Sequence, residues 1–169
     1  PEKREYDEVL RKLSPLPVEE GVYVSWENIE RMWTSYNWEH PALVGAYGML
    51  PGDGVDIPTM RRTLAKVHAE WKLGETWGWD FPMLAMCAAR LGDPERAVEY
   101  LLDYPAFDFD PHGLVGGGRA PFPYFPGNGG LLYAVAMMAA GWDGAPAGDA
   151  PGFPEKGWVV RSEGLRRAL

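Results

Sequence analysis

The 169-residue chain is 46% apolar, which is enough for one domain with a substantial core. Its 16 basic and 24 acidic residues leave a formal charge of −8, which argues against a nucleic acid or an anionic membrane as the main partner. The single cysteine, Cys87, excludes a disulfide within the chain and lies in an apolar run, which predicts a buried structural thiol.

Six helical segments are predicted from the spacing of the apolar residues, with Gly/Pro-rich loops between them. In chain order the helices are predicted over residues 1–13, 41–50, 59–71, 81–91, 94–102 and 129–140, with an extended segment at 21–24 and a long loop over 105–127. The segments 81–91 and 129–140 are apolar nearly all round, which predicts burial on every side. The segments 59–71 and 94–102 are amphipathic, as expected of helices with one face toward solvent.

This alternation of buried and amphipathic helices predicts an all-α fold in which α-hairpins form two concentric rings, as part of an (α/α)6 toroid. Residues 1–144 are assigned to the partial barrel, with about five to six helices, and residues 145–169 to an irregular tail. Because this is about half of a twelve-helix toroid, we expect the chain to be cut from a longer protein. The remaining half of the barrel is then a partner, and without it an exposed apolar face would cause self-association.

In such a toroid the loops that precede successive inner helices gather at one rim. Here they are residues 37–40, 75–80 and 124–128, which contain tryptophan, histidine, asparagine and acidic side chains. Helix N-termini add free N–H groups at this rim, which favours polar ligands. The eight Trp and eight Tyr residues of the chain also exceed what a core of this size usually needs, and aromatic rings can stack on sugars. The sequence therefore predicts one ligand site at this rim.

Three motifs at this rim resemble those of glycoside hydrolase family 95, which includes α-L-fucosidases. Residues 40–52, H-P-A-L-V-G-A-Y-G-M-L-P-G, resemble the family's H-R-H-L-S-H-L-Y-G-L-Y-P-G stretch. Within residues 77–97, W-G-W followed by A-R-L-G-D and R-A is similar to its T-G-W-S and A-R-L-x-D-x-x-R-A segments. Residues 120–130, A-P-F-P-Y-F-P-G-N-G-G, resemble its H-P-P-F-Q-I-D-G-N-F-G-G. The motifs keep order and spacing from about residue 37 to 140, and the family 65 disaccharide phosphorylases share the broader plan.

The resemblance implies a six-hairpin glycosidase that hydrolyses a glycosidic bond with inversion. One carboxylic acid protonates the leaving oxygen, while a base activates water on the opposite face of the sugar. The family's general-acid glutamate would lie upstream of Pro1. Its aspartate that supports water activation aligns with Pro126, which has no acid–base group. Three alternatives follow: another carboxylate activates the water, the sugar specificity differs from that of the family, or catalysis has been lost.

Asp80 is the first candidate for a catalytic carboxylate. It lies between Trp79 and Phe81 at the start of an inner helix, where desolvation would tune its pKa for proton transfer. The alternative role of Asp80 is an ordinary helix cap. Glu39 is the second catalytic candidate, either paired with Asp80 across the cleft or solvated. His40 matches the first histidine of the family motif, which makes it a candidate for hydrogen bonding to substrate.

Three further residues are candidates for sugar binding. Trp77 and Trp79 are expected to stack on sugar rings, with core packing as the alternative. Asn128 keeps the family's Gly-Asn pair and is expected to bind a sugar hydroxyl, with a cap or a loop-bridging amide as the alternative. Asp108 and Asp110 lack the spacing of a calcium loop. Neither a metal nor a cofactor is predicted.

Three functions follow from this sequence, ranked in the order given. The first is a glycoside hydrolase that acts on plant or microbial oligosaccharides, with part of its site on this chain. The second is a non-catalytic carbohydrate-binding toroid that has lost the catalytic aspartate. The third is a structural module in which the polar rim only caps helices. An oligosaccharide or glycoside is the expected partner, and no nucleic acid or membrane is.

Overall fold

The computed structural model describes residues 2–116 and 118–169 of the chain. Within these residues the fold is mostly helical, with six α-helices and one antiparallel sheet of two short strands. The elements are α1 (Glu2–Lys12), β1 (Val18–Glu19), β2 (Val22–Tyr23), α2 (Met32–Ser35), α3 (Ile57–Glu70), α4 (Asp80–Arg90), α5 (Pro94–Leu102) and α6 (Phe125–Ala140). Short 3-10 turns lie at Ala42–Ala46, Leu73–Glu75 and Pro105–Phe107. This content is compatible with the predicted all-α class.

Helix α4 is the centre of the core, and all of its residues are buried. It packs mainly against α5 and α6, so the prediction of a helix buried on every side over residues 81–91 is confirmed. Cys87 is fully buried within it, as expected of a structural thiol. Burial raises the pKa of this thiol, which keeps it protonated and unreactive.

The starts of α3 and α5 are encoded by local sequence. Asp56 caps α3 by accepting the N–H of Thr59 at 2.9 Å, and Asp93 caps α5 by accepting the N–H of Arg96 at 3.0 Å. Each helix also has a proline in its first turn, where a missing N–H costs nothing. Both predicted amphipathic helices therefore agree with the structure to within two residues.

The helix predicted over residues 41–50 is wrong. Only Ala42–Ala46 form a short 3-10 turn, after which Tyr47 pairs with Pro51 in an isolated bridge. Gly48 gives the physical reason, because a Cβ at this position would lie 2.9 Å from the backbone nitrogen of Cys87. The segment approaches α4 so closely that only glycine fits, and this contact replaces regular helix.

Helix α6 begins at Phe125, four residues before the predicted start at residue 129. Pro126 lies in the first turn, where proline is well tolerated. Gly127 and Gly130 would not be expected in a helix, but a Cβ on Gly130 would come within 3.2 Å of two Pro82 carbons. Gly130 lets α6 pack closely on α4, whereas a Cβ on Gly127 would meet Val115 at 2.7 Å, and this packing outweighs the low helix propensity of the two glycines.

The prediction that the last helix is buried on every side is also wrong. One face of α6 is buried, but Leu132 is 71% exposed, and Tyr133 and Val135 are exposed as well. The buried residues of α6 are Gly127, Ala134, Met137 and Met138. The helix is apolar all round, and α4 covers only the face turned toward it.

The two ends of the chain differ in how they pack. The predicted helix at the start is α1, whose apolar residues Tyr6, Val9 and Leu10 are exposed, while Pro1 lies outside the described residues. The tail after residue 144 is irregular, as predicted, and returns to the helical part, where the N–H of Ala168 donates to the carbonyl of Gly141 at 3.0 Å. No helix in the described part of the chain is both long and apolar enough to cross a membrane.

Candidate functional site

The site is built around Asp80, the first residue of α4. Its side chain is fully shielded from solvent. One carboxylate oxygen, Oδ2, accepts the backbone N–H of Trp77 at 3.0 Å, and the other, Oδ1, lies 2.8 Å from Nδ1 of His40. The N-cap position of α4 is Trp79, which has no side-chain cap. Asp80 therefore ties the 75–80 loop to His40, rather than capping the helix that it begins.

The buried position of Asp80 changes its acidity. Desolvation raises the pKa of its carboxyl from 3.8 to about 6, although the Trp77 N–H and the nearby His40 act in the opposite direction. The pKa of the Tyr124 phenol is raised by burial and also by the negative charge of Asp80, which places Tyr124 within electrostatic reach of this carboxylate. Asp80 thus changes its protonation state just below neutral pH, the range in which proton-transfer groups operate.

His40 is the solvent-facing partner of Asp80, with 34% of its side chain exposed. The indole Nε1 of Trp79 also lies 3.0 Å from the same Nδ1 atom. A neutral imidazole nitrogen either carries a proton or has a lone pair, so Nδ1 can donate to Asp80 or accept from Trp79, but not both at once. When Asp80 is ionised, a proton on Nδ1 is held by the carboxylate, and Nε2 is left with its lone pair. No described residue forms a hydrogen bond with Nε2.

Three rings lie side by side next to the His40–Asp80 pair, and we call Trp38, Trp77 and His40 the aromatic row. The His40 and Trp77 centroids are 4.1 Å apart at 36°, and those of Trp38 and Trp77 are 6.3 Å apart at 32°. Trp79 meets His40 edge-on, with centroids 5.3 Å apart. All four rings are only half-buried. The row therefore presents aromatic surface to solvent next to a polar pair.

Arg119 extends the aromatic row at its Trp38 end. Its guanidinium carbon lies 3.9 Å from the Trp38 ring centroid, close enough for a cation–π contact. The same side chain donates to the Glu75 carbonyl at 3.1 Å and pairs with the Glu75 carboxylate at 3.2 Å. The Arg119 N–H also donates to the carbonyl of Thr76 at 3.2 Å. These contacts join the long loop before α6 to the 75–80 loop.

The structure brings together four of the six residues named from the sequence: Asp80, His40, Trp77 and Trp79. The partner of Asp80 is His40 and not Glu39, whose carboxylate forms no hydrogen bond with any described residue. The Glu39 carbonyl instead accepts the indole N–H of Trp71 at 2.7 Å. Glu39 therefore contributes to the site through its backbone.

Asn128 has a contact outside the aromatic row. Its amide N–H donates to the carbonyl of Gly113 at 2.7 Å, which bridges the first turn of α6 to the preceding loop. This is the loop-bridging role that the sequence left as an alternative. The Asn128 Oδ1 atom is buried and has no hydrogen-bond partner among the described residues.

Two members of the site were not named from the sequence. Trp38 lies two residues before His40 in the 37–40 loop that was assigned to the rim, so its position in the sequence could have indicated its place in the site. Arg119 lies in a long Gly/Pro-rich loop with no periodic pattern, and only the tertiary structure shows that it reaches Trp38.

A second cluster of polar groups lies between α3 and α5. Arg96 Nη1 is 2.8 Å from Nε2 of His68, and also pairs with the Glu99 carboxylate at 2.7 Å. Because the guanidinium is always a donor, Nε2 of His68 is an acceptor and the ring is neutral. Burial and then the charge of Arg96 lower the pKa of His68. The adjoining cavity has a volume of about 180 Å³.

Comparison with known proteins does not assign this chain to a family: no family model matches it, and neither a curated protein nor a solved structure matches it significantly. Among the described residues, no group of three or more histidine, cysteine, aspartate or glutamate side chains is placed to hold a metal ion. The candidate site is thus an aspartate–histidine pair beside half-exposed aromatic rings.

Proposed function

We propose that the His40–Asp80 pair and the aromatic row form a carbohydrate-binding site in a protein of the six-hairpin glycosidase class. The observation that carries the proposal is that the aromatic row is partly exposed next to the His40–Asp80 pair, in which the buried Asp80 holds His40 in place. A sugar ring offers C–H groups on its faces and hydroxyls around its edge. Trp38 and Trp77 match the faces, and the free Nε2 of His40 matches a hydroxyl.

The class of fold in this proposal is an (α/α)6 toroid, of which the described helices would form a part. Two observations support it. The fully buried α4 packs against both α5 and α6, as an inner helix packs against its neighbours. Helix α6 exposes large apolar side chains on the face that α4 does not cover, which further helices of a toroid would bury.

The contacts of Asp80 favour sugar recognition at this rim over a purely structural role for its polar residues. A rim that only caps helices requires short polar side chains bonded to helix N–H groups, and Asp56 and Asp93 serve in that way elsewhere in the chain. Asp80 binds back to its own loop and to His40 instead. Burying this carboxylate costs stability, since its raised pKa reports an unfavourable environment for the charge.

A second function, hydrolysis of a glycosidic bond, is favoured by the His40–Asp80 pair itself. Asp80 is shielded from solvent, so it acts through His40 by fixing the orientation and the tautomer of the ring. His40 would then exchange a proton with the substrate through Nε2. Inverting hydrolysis needs a second group on the opposite face of the sugar. Asp80 is in this scheme a positioning residue rather than the acid that touches the substrate.

Calorimetric titration tests the binding function. The panel is α-fucosyl oligosaccharides and β-1,4-linked gluco-, xylo- and manno-oligosaccharides of one to six units. We expect at least one series to bind, and Trp77→Ala to weaken it about tenfold through the loss of one stacking contact. Trp158→Ala, which removes an exposed ring from the tail, is the matched control and should bind like the wild type. Failure of every series to bind would refute the carbohydrate site.

Release of reducing sugar from the same panel tests hydrolysis. Asp80→Asn should lower turnover at least about 100-fold, because His40 loses the carboxylate that fixes its ring and its tautomer, while sugar binding is retained. Asp53→Asn removes an exposed carboxylate and should leave turnover unchanged. Equal turnover in the wild type and Asp80→Asn would remove this pair from the chemistry. Binding without any turnover would leave only the recognition function.

A further inference from the structure

A second pair of aromatic rings lies beside the site and is not used by it. Trp26 is 53% exposed and Tyr36 is 41% exposed, and their rings meet edge-on with centroids 5.8 Å apart. We call these two residues the distal aromatic pair. Large rings in contact with each other and open to solvent are typical of binding surfaces rather than of cores.

A tight turn connects the distal pair to the aromatic row. The Glu39 N–H donates to the Tyr36 carbonyl at 3.0 Å, and the Trp38 indole donates to the Ser35 carbonyl at 2.9 Å. A turn of this kind keeps its first and last Cα atoms within about 7 Å. Tyr36 and Trp38 therefore stand two positions apart on one compact turn, so the two aromatic surfaces are neighbours.

The turn is held firmly against the end of α3. The Asn37 amide donates to the Glu70 carbonyl at 2.8 Å, and the Trp71 indole donates to the Glu39 carbonyl at 2.7 Å. Trp33 packs edge-on against Trp71, with centroids 5.6 Å apart. The rings on the turn are thus pre-positioned, so little conformational entropy would be lost when a ligand binds.

We propose that the distal aromatic pair is a second sugar-binding subsite, and that the ligand of this chain is an oligosaccharide with at least one unit beyond those on the aromatic row. This inference rests on the proposed carbohydrate-binding function and names its substrate class: chains of several units rather than single sugars. One unit lies on the row beside His40, and a unit further along the chain stacks on Trp26 or Tyr36.

The surroundings of the distal pair favour a sugar over a protein partner. Along the chain, the exposed neighbours of Trp26 are polar or charged: Ser25, Glu27, Asn28, Glu30 and Arg31. The aliphatic side chains that follow Trp26 in this segment, Ile29 and Met32, are buried at 5% and 2% exposure. The core of a protein interface is depleted of charged residues, whereas a sugar needs an aromatic face ringed by hydrogen-bonding groups.

The test is calorimetric titration of the full chain with the same oligosaccharides, grouped by length. For the series that binds, wild-type affinity should rise about tenfold between the disaccharide and the hexasaccharide, as one further ring is engaged. Trp26→Ala and Tyr36→Ala should each remove most of this gain and leave disaccharide binding unchanged. Tyr36→Phe keeps the ring and should retain the gain.

The outcomes distinguish failure of the second subsite from failure of the proposed carbohydrate-binding function. If Trp77→Ala weakens binding at every length while Trp26→Ala and Tyr36→Ala bind all lengths like the wild type, the second subsite is refuted and the carbohydrate site stands. If the wild type binds no member of the panel, both are refuted. If the two distal variants change only self-association in sedimentation velocity, the pair is a protein interface and the subsite is refuted. Both side chains are exposed, so thermal unfolding should be unchanged in these variants.

Discussion

Replacing Asp80 by asparagine should remove a specific part of the pH dependence of stability. The folded chain keeps the Asp80 proton up to a pH of about 6, because burial raises the pKa, whereas the unfolded chain loses it near 3.8. Between these values the folded state binds more protons, so its stability decreases as the pH rises and is constant above the folded pKa. Each pKa unit corresponds to about 1.4 kcal/mol, which gives a loss of about 3 kcal/mol over this range.

Urea unfolding at a series of pH values between about 4 and 7 measures this loss. The other carboxylates titrate in both proteins, so the difference between the wild type and Asp80→Asn isolates Asp80. Between these pH values, we expect the unfolding free energy of the wild type to decrease by about 3 kcal/mol more than that of the variant. Asp53→Asn, at an exposed position, should follow the wild type. Parallel curves for the wild type and Asp80→Asn would show that the carboxyl is not desolvated as the structure indicates.

Three further predictions concern the core and the second polar cluster. The pKa of His68 is lowered in the folded state, so the unfolded chain takes up a proton first as the pH falls below 6.5. The free energy of unfolding should therefore decrease below this pH in the wild type and decrease less in His68→Gln, as measured by urea unfolding. Gly48→Ala places a Cβ against the buried backbone of Cys87 and should lower the unfolding free energy by about 1–3 kcal/mol. Leu84 is fully buried, so Leu84→Ala should lower the unfolding free energy by about 2–5 kcal/mol. Leu132 is 71% exposed, so Leu132→Ala should change it by no more than about 0.5 kcal/mol. If thermal and urea unfolding give the two variants the same loss of stability, the described burial is contradicted.

The parts of the fold that the sequence predicts well are those with strong local signals. Asp93 and Pro94 mark the start of α5 through a cap and a first-turn proline, and both are readable without a structure. The 41–50 segment could not be predicted in the same way, because Gly48 is selected by the approach of α4 and not by its own neighbours. Exposure of α6 is likewise a property of which helices lie beside it, and an all-apolar sequence does not contain that information.

The residues of the site likewise divide into those that the sequence could place and those that only the tertiary structure places. His40, Trp77 and Asp80 could be placed at one rim, because each precedes or begins a helix at the same end of the predicted arrangement. Which carboxylate meets the histidine could not be predicted, since Glu39 is adjacent in sequence to His40 but the buried Asp80 is adjacent in space. Arg119 was missed because a loop without periodicity gives no indication of where its side chains lie.

A carbohydrate that lies against the rings of the aromatic row would change the chemical environment of their indole N–H groups. The indole N–H signals can be followed by two-dimensional NMR during titration with the oligosaccharide panel, and each is assigned from a single Trp→Phe variant. We expect the signals of Trp38, Trp77 and Trp79 to shift together with one dissociation constant, while that of Trp158 in the tail stays in place. If no indole signal shifts at the highest ligand concentration, or if Trp158 shifts as much as Trp77, the aromatic row is not a carbohydrate-binding site.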